Sequence, residues 1–167
     1  MIRCITNEIP FNSSWNRPSK KSIASGVYLP YDVKEKCQLA LAIDTSGSIG
    51  RDELKQFLGE IVNIVRSYNT VEMTVMTCDV KVQDVFKLDN GNIQKFLNMK
   101  LHGGGGTSFD DPIKYFNKNL HNYKMLIYFT DGEGSVKEKC RSKLLWILCK
   151  GGTDRYIKGK GEIVQIR

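Results

Sequence analysis

Gln38-Leu39-Ala40-Leu41-Ala42-Ile43 runs apolar without a break into Asp44-Thr45-Ser46-Gly47-Ser48, and this passage decides the fold. A short, continuous apolar run bounded by turn residues suits a strand covered on both faces, as at the centre of a parallel sheet. After the turn 45–50, apolar residues fall at 54, 57, 58, 61, 65 and 68. That is helical spacing, with Asp52 and Glu53 in the first turn, where the helix dipole favours carboxylates. Strand, tight turn and amphipathic helix together open an α/β unit.

The same grammar recurs downstream. Lys124-Met125-Leu126-Ile127-Tyr128-Phe129-Thr130 is a second buried strand and ends at Asp131-Gly132. Residues 143–149 are a third, broken by Gly151-Gly152, and Gly161 to Ile166 adds a last one. Residues 71–77 alternate like a half-buried strand, and 80–86 follow after the tight connection Cys78-Asp79. These two are expected to form a hairpin, with an antiparallel strand at the sheet edge. A short helix is expected at 92–98. Asp110 and Asp111 open another near Pro112, a favoured first-turn residue, with Ile113, Phe116 and Leu120 as its apolar side. Strands alternating with helices imply a mainly parallel sheet with helices on both faces. Residues 1–36, punctuated by Pro10, Pro18 and Pro30, read as an irregular lead-in to a domain at 37–167.

Composition narrows the function classes. The 167 residues are 41% hydrophobic and 26% charged, neither a disordered tail nor a coiled coil. No apolar run reaches the ~18 residues of a membrane span, and no apolar stretch of a signal peptide follows Arg3; a cytoplasmic setting is expected. Cys4, Cys37, Cys78, Cys140 and Cys149 are scattered, with no Cys-x-x-Cys pair, so no zinc site or disulfide framework is signalled. Cys78 and Cys149 lie in apolar runs and read as small buried hydrophobes. The two histidines, His102 and His121, form no His-Glu-x-x-His motif. The formal charge of +7 divides unevenly: +3 over residues 1–38, −2 over 39–136 and +6 over 137–167.

Three loops sit where the chemistry of such a sheet belongs, at the carboxyl ends of strands. They are Asp44-Thr45-Ser46-Gly47-Ser48, Gly106-Thr107-Ser108 after the run Gly103 to Gly106, and Thr130-Asp131-Gly132. They offer two carboxylates and several hydroxyls but no thiolate or imidazole, a set of hard oxygen donors suited to Mg²⁺, Mn²⁺ or Ca²⁺.

Asp-x-Ser-x-Ser after a buried strand, then Gly-Gly-Thr, then Thr-Asp-Gly resembles the metal-ion-dependent adhesion site of von Willebrand factor A (VWA) domains. Within that superfamily, Gly-Gly-Gly-Gly-Thr-Ser-Phe, Thr-Asp-Gly-Glu-Gly, Leu-Leu-Trp-Ile-Leu and the closing Gly-Glu-Ile-Val-Gln-Ile resemble the bacterial VWA-like domain that usually follows a metallopeptidase-like region. Trp15 to Lys21 and Tyr28-Leu29-Pro30 resemble the linker before it. The resemblance implies a three-layer α/β/α, Rossmann-like fold, doubly wound, with a mainly parallel sheet and one antiparallel edge strand. It implies that Asp44, Ser46, Ser48, Thr107 and Asp131 hold a divalent cation, Mg²⁺ first and Mn²⁺ or Ca²⁺ as alternatives. An acidic side chain of a protein partner would complete the metal's coordination. It also suggests an AAA+ ATPase of the MoxR kind, or its substrate, as that partner. No enzymatic activity, membrane or nucleic acid is expected.

Rival readings stand beside this one. Taken singly, Asp44 could cap the following helix, Ser46 and Ser48 could be turn residues, and Gly103 to Gly106 a plain loop. Ser46 on a strand–turn–helix evokes a nucleophile elbow but misses Gly-x-Ser-x-Gly. Asp44 could accept a phosphoryl group in a metal-dependent hydrolase or transferase, although Ser46 stands where a second acid would help. No Gly-Lys-Ser/Thr follows the glycines, which excludes a P-loop. The basic stretch 137–160 could serve a nucleic-acid-associated scaffold. Asp110, Asp111 and Glu133 are extra acids near the site, read as helix-start and surface residues.

Overall fold

The computed structural model describes residues 12–18, 30–33, 37–67, 71–89, 91–98 and 104–166. The chain divides into two compact units, Met1–Cys37 and Gln38–Arg167. In the first, β1 (Asn12–Pro18) and β2 (Pro30–Val33) pair antiparallel, with Asn12 opposite Val33 and an irregular register before Pro18 meets Pro30. A ribbon thus stands within the stretch read as irregular. Proline, which has no N–H to donate, is tolerated here because each strand of a two-stranded ribbon is an edge.

The second unit runs β3 (Cys37–Asp44), α1 (Arg51–Ser67), β4 (Val71–Cys78), β5 (Val82–Leu88), α2 (Ile93–Leu97), α3 (Asp110–Asn119), β6 (Met125–Thr130), β7 (Lys143–Leu148) and β8 (Glu162–Gln165). Its six-stranded sheet has the order β5-β4-β3-β6-β7-β8. β6 is parallel to both β3 and β7, and β7 to β8. β5 returns antiparallel against β4, Val75 opposite Phe86, and forms the expected antiparallel edge.

Side chains alternate across the sheet, so each central strand feeds two cores. On one face Ala40 and Ala42 of β3 leave room for Tyr128 of β6 and Trp146 of β7, and Ile113 and Phe116 of α3 close over them. Phe109, just before α3, meets Tyr128 at 5.2 Å and Trp146 at 5.1 Å between ring centroids, both edge-on. On the other face Phe129 meets Phe57 of α1 at 5.2 Å, with Ile61 and Ile64 buried on the same helix. The sheet therefore lies between α1 and α3 in three layers. Cys78 and Cys149 are buried, as their apolar surroundings suggested; the Cys78 thiol contacts the Ile43 carbonyl and the Tyr128 hydroxyl. Among the described residues no helix is long and apolar enough to cross a membrane.

The regular alternation of strand and helix fails in the second half. Residues 131–142 and 149–161 connect parallel strands without an α-helix. Such crossovers usually carry one, but these segments are rich in glycine and charge and have no apolar stripe to bury. Side chains of α3 hold the first crossover instead. The Asp110 carboxylate accepts the backbone N–H groups of Lys137 (2.7 Å) and Glu138 (2.8 Å), and Asp111 accepts that of Val82 (2.9 Å). These acids are structural pins.

Burial alone would push the Asp110 carboxyl up; the two N–H bonds, with Lys114 and Lys137 nearby, outweigh it and hold it below its ordinary value. A depressed carboxyl adds stability above its unfolded pKa, and that stability is lost as pH falls through the folded one. Asp110→Ala is therefore expected to cost about 1–3 kcal/mol in urea unfolding at pH 7. The gap to wild type should close below roughly pH 4. Asp110→Asn, which keeps an acceptor, should cost less. An equal cost for both variants at every pH would rule out the charged pin.

Candidate metal centre

The candidate residues gather where β3 and β6 end. Asp44, the last residue of β3, is fully buried. Its Oδ1 accepts the N–H of Ser46 at 2.9 Å, which folds the chain back on itself directly after the strand. Asp44 is thus no cap of α1, which starts only at Arg51. The turn places the Ser46 hydroxyl 3.2 Å from that of Ser48. Ser46 is buried and Ser48 exposed, so the pair runs from the interior to solvent.

Thr130 joins the two carboxylates. Its hydroxyl donates to Asp44 Oδ2 at 2.6 Å and lies 3.5 Å from Asp131 Oδ1, while accepting the N–H of Gly132 at 3.0 Å. Asp131 Oδ1 also accepts the N–H of Glu133 at 2.9 Å. Burial drives the Asp44 carboxyl above its ordinary value; the hydrogen bonds from Thr130 and Ser46 oppose this, and the nearby Asp131 charge adds to it. Two acids therefore share one end of the sheet, one of them withdrawn from water.

The glycine loop docks on the first turn through the backbone. Gly47 donates to the Gly105 carbonyl at 3.1 Å and Gly104 to that of Thr45 at 2.8 Å. A Cβ at Gly47 would already touch the Gly104 carbonyl at 3.4 Å, and one at Gly105 would crowd the Asp79 carboxylate at 2.9 Å. Asp79, at the end of β4, is buried. Its carboxyl is held below the ordinary range by the Gln83 side chain, against the effect of burial, with help from backbone N–H groups that include Gly105. Thr107 follows on this anchored loop, half-buried, its methyl against Gly134. Among the described residues its hydroxyl makes no hydrogen bond to the other four.

The structure thus brings Asp44, Ser46, Ser48 and Asp131 into one linked group and sets Thr107 on the loop that docks beside it. Among the described residues no group of three or more His, Cys, Asp or Glu is placed to hold a metal ion; the donors gathered here are mainly hydroxyls. Sequence reasoning passed over Asp79, whose role is to fix the glycine loop, and Thr130. The Thr-Asp-Gly motif contained Thr130, but a threonine at the end of a strand carries no mark of what it bridges.

The model of the VWA-like domain family DUF2201 matches residues 39–166. An uncharacterized protein of Thermotoga maritima is 29% identical over 121 residues, which cover 72% of this chain and 29% of that protein. The chain therefore spans less than a third of that relative's length. Among solved structures, the conserved hypothetical protein BatB from Bacteroides thetaiotaomicron is similar with a TM-score of 0.56 at 13% identity, covering 78% of this chain and 90% of that one. The ArnB paralog VWA2 from Sulfolobus acidocaldarius is similar with a TM-score of 0.55 at 15% identity, covering 79% and 41%. These two likenesses concern the fold, and the family match covers nearly the whole second unit. The chain belongs to the VWA-like domain family DUF2201.

Proposed function

We propose that this domain is a protein-interaction module that binds a divalent cation through Asp44, Ser46, Ser48, Thr107 and Asp131 and uses it to hold an acidic side chain of a partner. The observation that carries this is the coupling of the Ser46–Ser48 hydroxyl pair to two carboxylates that share Thr130. Hard oxygen donors with only two formal charges fit Mg²⁺ or Mn²⁺ better than a soft metal. A cation bound there supplies positive charge and an open position for a carboxylate oxygen. The chain's own contribution is to keep Asp44 dry and oriented, to aim the Ser46 and Ser48 oxygens together, and to hold the glycine loop close.

The enzymatic readings find less support. The Ser46 hydroxyl meets the Ser48 hydroxyl and the Asp44 carboxylate, which is also engaged by Thr130 and by the Ser46 N–H, and among the described residues no histidine is set against it. His121 is exposed in the turn after α3, beside Lys118 and Arg141. The proposed partners, acidic proteins with a MoxR-type AAA+ ATPase among them, follow from the resemblance and the site's chemistry. Immobilised domain should retain such an ATPase in Mg²⁺ and release it in EDTA. Retention unchanged by EDTA, and unchanged in Asp131→Ala, would remove the metal from the interaction.

A further inference from the structure

We propose that the basic surface around the loop 137–141 is a second docking site, for an acidic protein segment, along α3 and beside the starts of β7 and β8. The crossover that carries it has no helix but is firmly held. Asp110 accepts the N–H groups of Lys137 and Glu138, and the Asn117 amide donates to the Lys139 carbonyl and accepts the Arg141 N–H, each at 2.9 Å. Two side chains of one helix thus fix four of the five residues 137–141. Exposure then alternates: Lys137, Lys139 and Arg141 face solvent, while Glu138 and Cys140 are half-buried.

Two hollows open on either side of Glu138. One, of about 370 Å³, is lined by Lys137, Lys139 and Lys160 and reaches Ser142, Leu144 and Gly161, where β7 and β8 begin. The other, of about 470 Å³, is lined by Lys114 and Lys118 of α3 with Arg141. Six cations meet two acids, Asp110 and Glu138, and Asp110 is engaged with backbone N–H groups. The backbone is ordered before any partner arrives, so binding costs less conformational entropy than it would on a loose basic tail.

The lining selects the partner class. Single-stranded nucleic acid binds on aromatic stacking platforms, and among the described residues neither hollow is lined by Phe, Tyr or Trp. Glu138 stands between the hollows, where a continuous phosphate chain would have to pass. A protein segment with two acidic clusters separated by a neutral residue fits both hollows and clears the glutamate.

The test is fluorescence anisotropy with a fluorescein-labelled peptide carrying two Glu clusters joined by Ala, titrated with the 167-residue chain at low salt. Binding should weaken as salt rises and fall about ten-fold or more in Lys139→Glu/Arg141→Glu. Both residues are exposed, so circular dichroism should show that variant folded. Binding should persist in EDTA and in Asp44→Asn, which separates this surface from the metal site. Absence of peptide binding by the wild type, equal binding by the folded double variant, loss in EDTA, or tighter binding of a single-stranded oligonucleotide would each overturn the proposal.

Discussion

Alanine in place of Gly132 is expected to cost about 3 kcal/mol or more and to lower the thermal midpoint by roughly 6–12 °C. Gly132 has φ +81°, the left-handed region that favours glycine, and a Cβ there would overlap the carbonyl oxygen of Thr153. Thr153 cannot step aside freely, because its N–H donates to the Asp131 carbonyl at 2.8 Å. Gly152 enforces the same closeness from the other side, since a Cβ there would lie 2.7 Å from the Asp131 carbonyl oxygen. Any accommodation moves Asp131, so the variant should lose metal binding as well as stability. Gly151 is the control. Its φ is +87°, but nothing lies within 4 Å of its added Cβ, so Gly151→Ala should cost only about 1 kcal/mol. Equal midpoints for the two variants in calorimetry would remove the steric part of the explanation.

Asp44→Asn is expected to separate stability from metal binding. Burial raises the Asp44 carboxyl above its ordinary value, with a smaller contribution from Asp131. A carboxyl raised in the folded state favours folding while protonated, and this contribution is lost as pH rises through the folded pKa. Above that pKa and without metal, an ionised Asp44 therefore works against the fold. Asparagine keeps an acceptor for the Ser46 N–H, and its amide can face the Thr130 hydroxyl oxygen. The variant should be at least as stable as wild type in EDTA. Wild type should gain about 2.7 kcal/mol at a metal concentration a hundred-fold above Kd, whereas Asp44→Asn should gain almost nothing. A variant destabilised in EDTA yet stabilised by Mg²⁺ to the wild-type extent would contradict both halves.

The central strand, the edge hairpin and α3 were legible because each rests on a local pattern. The apolar run into Asp44, the alternation at 71–77 and the acidic start at Asp110 each state their structure within a few residues. The helix-free crossovers were not legible. What replaces a helix there is a set of long-range side-chain-to-backbone bonds, from Asp110 to Lys137 and from Asn117 to Arg141, which leave no periodic trace. Pairing of β1 with β2 joins segments around two prolines, where local signals favour irregular chain. The candidate site divides along the same line. Asp44, Ser46 and Ser48 share one short motif, and Asp131 ends a strand as obvious as the first. The bridging role of Thr130 and the anchoring role of Asp79 exist only once β3, β4 and β6 lie side by side.

The division of charge reads differently with the fold in place. The net negative middle of the chain holds Asp44, Thr107 and Asp131, at one pole of the sheet. The basic carboxyl-terminal third supplies Lys137, Lys139, Arg141 and Lys160, which lie with Lys114 and Lys118 around the two hollows along α3. A partner with a single exposed carboxylate can use the first surface, and one with acidic clusters can use the second.

Isothermal titration calorimetry with Mn²⁺ tests the central claim most directly, comparing wild type with the double variant Ser46→Ala/Ser48→Ala. These hydroxyls bond to each other, and the Ser46 N–H that braces Asp44 is retained, so the fold should persist by circular dichroism. A single Mn²⁺ site in wild type that disappears in the folded variant is the expected result. Unchanged Mn²⁺ affinity in the variant, or no Mn²⁺ binding by wild type, would contradict a metal centre built on this turn.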